Sequence, residues 1–362
     1  MKVGEMTSRA RRVRMCALQT SALVATFLVA GPAFAQCSPD PTIANATTTC
    51  NDSDTDGVRV TTSNTRVVVA SGATVRPGNA PAAITSLANS ASFQGDGMVD
   101  GGSGKAGLFI TTAAPFTSPC DPYSGASVNY CVPGSLQTNY PSANATISVA
   151  AGGTVTGAQG ILIRRDTSNT NGSIFASINN AGTINGTAGP AILADQMGFG
   201  TLSVTNRATG LIGGIAGAVT YLNNAGTVDG GSNAALTSTV SGMSVDNTGR
   251  IVSNGTAATL SITGPGSTGL NNPGFLYVTN AVGAVIGGSA TAISSTVGLS
   301  LTNLGTINGS VVSTAGSGTN STIDTRVGLI NGNVALGAGN DTLRARCDGT
   351  TGQIASITGT ID

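Results

Sequence analysis

A seven-residue phrase recurs along the second half of this chain. It reads Asn-Ala-Gly-Thr-Ile-Asn-Gly at 180–186, Asn-Ala-Gly-Thr-Val-Asp-Gly at 224–230 and Asn-Leu-Gly-Thr-Ile-Asn-Gly at 303–309. Looser copies begin at Asn206, Asn247 and Asn280. Repetition at a roughly fixed interval is typical of a solenoid, in which each copy is one coil stacked on the last. Such a fold offers a long surface rather than a single enclosed pocket.

The interval between copies indicates which solenoid to expect. The asparagines that begin the six copies are on average about 25 residues apart, a coil length that suits three short strands per coil. A left-handed β-helix would show six-residue periodicity, and a propeller blade would need about 40 or more residues. The sequence therefore predicts an all-β fold, a right-handed parallel β-helix with a loop-rich N-terminal segment. Residues 142–362 would form about nine coils.

The repeated phrase can be interpreted as one short strand with a sharp turn of the chain, a corner, at each end. Alternation along a strand predicts that Ile184, Val228 and Ile307 point inward while the neighbouring Thr and Asn point outward. The flanking Gly and Asn are expected to take positive φ at the corners between strands. Asparagines stacked in successive coils can also form hydrogen bonds along the axis, as in other stacked β structures.

The composition supports strands and turns over helices. The chain has 52 Gly and no His or Trp, and beyond residue 35 it has no Glu and a single Lys, Lys105. Thr, Ser, Asn and Gly fill the polar positions, and these residues are poor helix formers. Low charge and recurrent Ile, Val and Leu argue against disorder. Beyond residue 35 there are 11 basic and 15 acidic residues, which leaves no basic patch for nucleic acid.

The first 35 residues have the features of a signal peptide. Lys2 and four arginines precede an apolar run at 15–31, and Ala33-Phe34-Ala35 is a small-x-small cleavage pattern. We expect cleavage before Gln36, because the apolar run is short for a membrane anchor and ends in this pattern. Export through the periplasm to the cell surface, the outer membrane or the medium follows as the expected localisation.

The cysteines fit an oxidising compartment. Cys37 and Cys50 form one closely spaced pair and Cys120 and Cys131 a second, whereas Cys347 has no evident partner. In an exported protein, we expect such pairs to close local loops as disulfides. A zinc site is disfavoured because the chain has no His and lacks CxxC spacing.

Three regions follow the predicted leader (1–35). Residues 36–76 are predicted to hold the N-terminal strands and the first coil. Residues 77–141 contain seven prolines and three tyrosines, which favour an irregular insertion clipped by Cys120 and Cys131. Residues 142–362 carry the regular repeats.

The repeated phrases, together with the segment at 327–343, resemble the passenger domains of type V autotransporters, which are bacterial surface proteins with N-x-G-x-I-x-G repeats. The resemblance covers the chain from about Ala145 onward. It implies Sec export, a parallel β-helix, and display at the outer membrane or release from it. The family's C-terminal membrane β-barrel does not occur in this sequence. The resemblance therefore predicts that the chain is a fragment of a longer protein. Attachment to the outer membrane is expected only through a barrel outside this chain.

Two segments could hold calcium. Asp52, Asp54 and Asp56 with Gly57 match the first half of a calcium loop, but its twelfth position is Ser63 rather than Glu. The alternative is a polar turn that leads into strands. The segment at 337–343 resembles one nonapeptide of a calcium-binding β-roll, and because such sites need tandem copies we predict a structural turn. No metal or cofactor site is assigned.

Enzymatic chemistry finds little support in the residues. The fifteen Asp residues are scattered, and the densest charged cluster, Arg164-Arg165-Asp166, is predicted to be a solvated turn. Serine catalysis lacks its His base. The phrase Gly264-Pro-Gly266 lacks the strand-to-helix setting of a phosphate loop.

The sequence therefore predicts a non-enzymatic, exported surface rod that works by adhesion or self-association. Its partners would be host or neighbouring cell surfaces, glycans, or other copies of the chain, engaged by polar side chains on the β-helix faces. The alternatives are an extracellular polysaccharide lyase or hydrolase on the same fold, and a passive spacer. A set of Asp residues converging on one groove with Arg or Lys would distinguish the enzyme.

Overall fold

The computed structural model describes residues 37–119, 136–240, 242–264, 274–316, 318–345 and 355–362. The predicted leader, the Cys120/Cys131 pair, Gly266 and Cys347 lie outside these ranges. Within them the secondary structure consists of strands, turns and bends, with no helix, and so with none able to span a bilayer.

The strands of these ranges are short. In chain order they are β1 Cys37–Ser38, β2 Thr47–Cys50, β3 Ser53–Asp54, β4 Val58–Val60, β5 Thr65–Val69, β6 Thr74–Val75, β7 Ala82–Ser86, β8 Ser90–Gly95, β9 Met98–Asp100, β10 Ala106–Ile110, β11 Phe116–Pro119, β12 Leu136–Asn139, β13 Ala143–Val149, β14 Thr154–Gly157, β15 Ile161–Arg164, β16 Ile174–Asn180, β17 Thr183–Gly186, β18 Ile192–Asp195, β19 Leu202–Asn206, β20 Leu211–Ile212, β21 Ile215–Gly217, β22 Val219–Asn224, β23 Thr227–Asp229, β24 Leu236–Ser238, β25 Met243–Asn247, β26 Arg250–Val252, β27 Leu260–Ile262, β28 Phe275–Asn280, β29 Val285–Ser295, β30 Gly298–Asn303, β31 Thr306–Ser313, β32 Thr322–Thr325, β33 Leu329–Asn331, β34 Val334–Ala335, β35 Thr342–Ala345 and β36 Ser356–Ile357.

These strands stack into three parallel ladders. The first sheet has the order β1-β2-β5-β8-β13-β16-β19-β22-β25-β28-β30-β32-β35. The second sheet consists of two ladders, one beginning at β3-β6-β9-β14-β17 and the other at β4-β7-β10-β15-β18. They are joined where β29 and β31 are long enough to pair in both. Each coil thus contributes to three ladders, which confirms the predicted all-β parallel β-helix. From β13 onward the first sheet has nine strands, the number of coils predicted.

The core is built from columns of aliphatic side chains that continue from coil to coil. The second ladder stacks one such column at matching register positions: Val75, Val99, Val155, Ile184, Ile212, Val228, Ile251, Ile286, Ile307, Ile330 and Ile357. The predicted inward direction of Ile184, Val228 and Ile307 is confirmed, since all three are fully buried. β-Branched side chains pack well on pleated strands, so one such residue per coil suffices to build the column.

A buried column of asparagines runs beside this core at the end of the first-sheet strands. Its members pair in register and are at most 1 % exposed: Asn180, Asn206, Asn224, Asn247, Asn280 and Asn303. The Nδ2 of each donates to the Oδ1 of the next, at 2.8–2.9 Å. The predicted hydrogen bonding of stacked asparagines along the axis is confirmed.

The prediction of positive φ at the corners is wrong for these asparagines. Within the described ranges the non-glycine residues of positive φ are Asn45, Asn64 and Gln196. The third residue of the phrase is glycine for a different reason. A Cβ on Gly182 would lie 2.3 Å from the carbonyl oxygen of Gly153, and one on Gly226 would lie 2.3 Å from that of Gly210. The backbone of the preceding coil approaches too closely for any side chain.

The N-terminal end is closed by a disulfide and an antiparallel strand. Strand β1 pairs antiparallel with β2 and covers the edge of the first sheet. The Cys37–Cys50 disulfide joins the two strands and both sulfurs are buried. This confirms the first predicted disulfide pair.

The predicted irregular insertion is shorter in the structure than in the sequence analysis. Strands β7 to β10, between residues 82 and 110, are regular members of the ladders. Pro77 and Pro81 lie between strands, so they do not interrupt a ladder. An excursion does follow β10: β11 and β12 form a separate antiparallel pair, after which β13 rejoins the first sheet beside β8.

Candidate functional site

The outward side chains of the first sheet form a continuous surface, here called the outer face. It comprises the outward residues of strands β16 to β32. Two columns cross it in register. The first is Ser177, Ser203, Tyr221, Ser244, Tyr277, Ser300 and Thr322, and the second is Asn179, Thr205, Asn223, Asp246, Thr279, Thr302 and Asp324. Hydroxyl and amide groups therefore line this surface at every coil.

Aromatic side chains interrupt the outer face at every second strand from β16 to β28. Phe175 lies on β16 and is 43 % exposed; Tyr221 lies on β22; Phe275 and Tyr277 lie on β28, where Tyr277 is 53 % exposed. The strands between them, β19 and β25, present only serine, threonine and aspartate outward. Because neighbouring strands are about 4.8 Å apart, the aromatic strands recur about every 9.6 Å.

Tyr221 lies across the outer face. Its hydroxyl donates a hydrogen bond to Oδ2 of Asp246 at 3.1 Å, one strand further and in the second column. The side chain must therefore extend along the surface to reach this partner. The hydrogen bond to the carboxylate raises the pKa of the Tyr221 hydroxyl, so the group remains a protonated donor.

Phe275 and Tyr277 form a second aromatic unit. Their ring centroids are 5.8 Å apart with an interplanar angle of 31°. A Cβ on Gly298, the register partner of Phe275 on the next strand, would lie 2.5 Å from the phenyl ring. The ring thus covers bare backbone at Gly298, while Ser244 and Ser300 flank Tyr277 and leave it accessible.

The sequence analysis missed this aromatic pattern because the coils differ in length. A signal was available in the asparagine column. Tyr221 and Tyr277 each lie three residues before a column asparagine, and Phe175 and Phe275 each lie five residues before one. Counting back from the asparagines aligns the coils and reveals the alternation.

A groove lies over the third ladder in the first coils, with a volume of about 630 Å³. Its lining residues include Asp56, Arg59, Thr85, Leu87, Phe109, Arg164, Arg165 and Asp166. The structure thus brings the predicted charged cluster 164–166 together with residues about 100 positions away. That convergence was not expected from the sequence, which placed the cluster in an isolated turn.

Most charges of the groove are engaged by the protein itself. Arg164 Nη2 forms an ion pair with Asp195 at 3.0 Å, and Arg165 Nη1 donates to the carbonyl oxygens of Thr170 and Gly172. Asp166 accepts hydrogen bonds from the hydroxyl and amide of Ser168, which lower its pKa.

Two buried polar atoms of the groove have no hydrogen-bond partner, the hydroxyl of Thr85 and Nε of Arg164. Neither atom is accessible to solvent in the structure. The groove has the size of a small-molecule site, but these two unpaired polar atoms are not exposed on its surface.

The calcium-loop candidate is a turn in the structure. Asp54 is 3 % exposed and lies at the head of the aliphatic column, paired in register with Val75. Its Oδ1 accepts from the amides of Asp56 and Gly57, whereas Asp52 caps the amide of Ser53. Burial raises the pKa of Asp54. Within the described ranges no group of three or more potential metal ligands converges.

The segment at 337–343 is also held by contacts to the preceding coil. Asp341 accepts from the amide of Ser321 at 2.6 Å, and the amide of Asn340 donates to Asn320 at 2.9 Å. These contacts agree with the structural turn that the sequence predicts here.

Comparison with protein-family models, with curated proteins and with solved structures finds no match for this chain. The support for each candidate site therefore comes from the residues of this chain alone.

Proposed function

We propose that this chain is an exported bacterial surface protein, similar to an autotransporter passenger, that works by non-enzymatic adhesion or self-association. The observation that carries the proposal is the outer face, where coil-by-coil register aligns hydroxyl, amide and aromatic groups over seven successive strands. Its partners would be cell surfaces, glycans, or a second copy of the chain.

The mechanism is the summation of many weak contacts. An exposed hydrogen bond to a hydroxyl contributes only about 0.5–1.5 kcal/mol, which is too little for stable attachment. The ladders fix the spacing of such groups over many coils, so a partner with matching periodicity engages several at once with little ordering cost. Display of many copies on one cell multiplies the effect through avidity.

The test is display of the chain on a non-adherent bacterium, followed by attachment and aggregation assays. Glutamate at Thr205 and Ser300 places charge on the outer face at two positions whose register partners on both neighbouring strands are uncharged. A matched control carries glutamate at Asn185 and Asn308, which are exposed on the second ladder. We expect attachment or aggregation to fall several-fold only with the first pair. If display of the unmodified chain changes neither property, the adhesion proposal is lost.

A second candidate, a polysaccharide-active enzyme, is favoured by one observation. The groove gathers Asp56 and Asp166 with Arg59, Arg164 and Arg165, which is the convergence that would distinguish an enzyme. However, the lowered pKa of Asp166 makes it a poor general acid, because catalysis of glycoside cleavage needs one protonated carboxyl.

Release of reducing ends from a panel of neutral and acidic glycans decides this alternative. Activity that is lost in Asp56→Asn would establish the groove as catalytic. Absence of activity across the panel would remove the enzyme, and absence of both activity and adhesion would leave a passive spacer.

A further inference from the structure

The spacing of the aromatic strands on the outer face matches the repeat of one class of polymer. Phe175, Tyr221 and the Phe275/Tyr277 unit recur every second strand, about every 9.6 Å along the axis. In an extended β-1,4-linked pyranose chain, alternate sugars face the same way, and the disaccharide repeat is close to two strand spacings. Tyr221 and Tyr277, which share one column, would therefore meet equivalent sugars, whereas Phe175 lies two residues to the side of that column.

We propose that the outer face binds one extended, neutral β-1,4-linked glycan lying along the β-helix axis, with one disaccharide for every two coils. This inference rests on the proposed adhesive function and names its ligand. The apolar C–H faces of alternate sugars stack on the aromatic rings, which supply large contact area at small entropic cost. The intervening sugars lie over the strands that carry Ser203 and Ser244, where small side chains leave room.

Hydrogen-bonding groups stand beside the rings at every coil. The second column supplies the amides of Asn179 and Asn223 and the carboxylate of Asp246, all partly exposed. Equatorial hydroxyls of a β-1,4-linked sugar project sideways from the chain, where they would meet this column. Fixed acceptors and donors of this kind set the orientation of the ligand along the face.

The charge of the outer face favours a neutral chain over an acidic one. Asp246 and Asp324 are carboxylates of the face itself. Two of the nearby guanidinium groups are engaged, since Arg207 Nε donates to Asn179 at 2.7 Å and Arg326 Nε lies 3.4 Å from Asp324. Arg344, opposite Asp324 on β35, lies beyond the last strand of the outer face. A polymer with a carboxylate or sulfate on each repeat would meet repulsion without a free counter-charge.

The asparagine column keeps the rings in register. Asn224 and Asn280 follow Tyr221 and Tyr277 by three residues on the same strands, and each bonds to the asparagines of both neighbouring coils. A slip of one strand would break these buried hydrogen bonds. The spacing of the aromatic units is therefore fixed before any ligand binds, and little ordering entropy is lost on binding.

The experiment measures binding of the purified, processed full chain to β-1,4-linked oligosaccharides and to insoluble cellulose and chitin. The chain has no Trp and five Tyr, so the difference in tyrosine emission between the unmodified chain and the Tyr221→Ala and Tyr277→Ala variants reports on these two rings. Affinity should rise with oligosaccharide length up to about three sugars, the shortest chain that reaches the rings of both Tyr221 and Tyr277. Mannan, alginate and heparin serve as comparison ligands.

Tyr221→Ala and Tyr277→Ala should each weaken binding by about 3- to 10-fold, with a multiplied loss in the double variant. The matched controls, Tyr140→Ala and Phe199→Ala, remove exposed rings that lie off the outer face and should leave binding unchanged. Circular dichroism and thermal melts confirm that all variants retain the fold.

Three outcomes would overturn the inference: equal binding by the tyrosine and control variants, no dependence on oligosaccharide length, or preference for an acidic polymer. If displayed cells still attach or aggregate in such a case, the adhesive function stands and its ligand is a protein or a second copy of the chain. If the glycan binds but displayed cells do not adhere, the adhesive function fails while the site remains.

Discussion

The first four coils and the six coils that follow fill the same inward column in different ways. Along the first sheet, the paired positions in β2, β5, β8 and β13 are Cys50, Val69, Gly95 and Val149. From β16 to β30 the same position is asparagine in every coil. The first coils are thus held here by apolar packing and a disulfide, and the later ones, the amide coils, by a chain of buried hydrogen bonds.

The difference shows what a buried polar ladder adds to a solenoid. Apolar packing is non-directional and tolerates irregularity, and the excursion that contains β11 and β12 occurs in the first coils. A buried amide must meet its partner in every coil, because an unpaired one is costly. The amide coils therefore stay in register at their asparagines even where β19 and β22 shift by one residue between Leu202 and Ser203, and they are the coils whose outer face carries the alternating aromatic units.

The largest effect is expected from Asn224→Ala. This change removes the hydrogen bonds from Asn224 to Asn247 and to the carbonyls of Gly226 and Arg250, and leaves a small cavity. We expect a loss of about 3 kcal/mol in the free energy of unfolding. Val69→Ala, at the same position in the first coils, should cost only about 1–2 kcal/mol, because it removes packing alone. Equal losses in urea denaturation would mean that the ladder adds nothing beyond packing.

A somewhat smaller effect is expected from the phrase glycine, and it should be common to both regions. A Cβ on Gly182 would lie 2.3 Å from a backbone oxygen of the preceding coil, and one on Gly97, in the first coils, meets the same obstacle at 2.3 Å. Gly182→Ala and Gly97→Ala should each cost about 2–3 kcal/mol.

Gly189→Ala serves as the control for these glycines, since its nearest neighbour is 3.7 Å away, and it should change stability by less than about 0.5 kcal/mol. If Gly97→Ala proves harmless, the close approach of successive coils is a property of the amide coils only.

Extending the ladder should be nearly neutral. The Oδ1 of Asn180 is buried without a partner, because Val149 precedes it in the column. Val149→Asn would supply a donor to this oxygen, so we expect a change within about 1 kcal/mol. Val69→Asn, with no amide on either side, should cost about 2–3 kcal/mol. Thermal melts of the two variants measure the difference in stability. A similar loss in both would show that an amide partner in the next coil does not decide where the asparagine column begins.

The smallest effect concerns pH and the first coils. Burial raises the pKa of Asp54, and burial with the charge of Asp56 raises that of Asp40. Because these folded-state values lie above the unfolded ones, the charged forms destabilise the fold at neutral pH. The first coils should therefore gain stability as pH falls towards the unfolded pKa, with no further gain below it.

Asp54→Asn keeps an acceptor for the amides of Asp56 and Gly57 but cannot titrate. Hydrogen exchange of the first coils between pH 4 and pH 6 should show a flatter pH dependence of stability in this variant than in the unmodified chain. The amide coils should show no such dependence, because their asparagines do not ionise. Parallel profiles for the two proteins would exclude Asp54 as the source.

The sequence predicted the repeat well because the phrase carries its own geometry. Ile184 between Thr and Asn could be assigned inward from strand alternation alone, and the spacing of Asn180 to Asn303 gave the coil length. Cys37 and Cys50 could be paired because they are close in the chain. The φ argument held for Gly309, which takes positive φ at the end of its phrase. It was wrong for Gly182, since φ preference is a local property, whereas the contact of Gly182 with the preceding coil is not.

The surface could not be obtained in the same way. Tyr221 and Tyr277 are 56 positions apart with coils of unequal length between them, so their alignment emerges only when the coils are aligned on the column asparagines, and the strand pairing establishes that column. Likewise, Arg59 and Phe109 meet Arg164 in one groove because their strands are neighbours in the third ladder.

The sequence by itself determined the class of fold, because one inward aliphatic residue, one amide and one glycine in each repeat are sufficient to stack a coil on its predecessor. Only the tertiary structure decided what faces outward together, because variable loops between the strands remove any fixed period from the surface residues. The physical reason is that backbone pairing constrains the strands in register while leaving the length of each corner free.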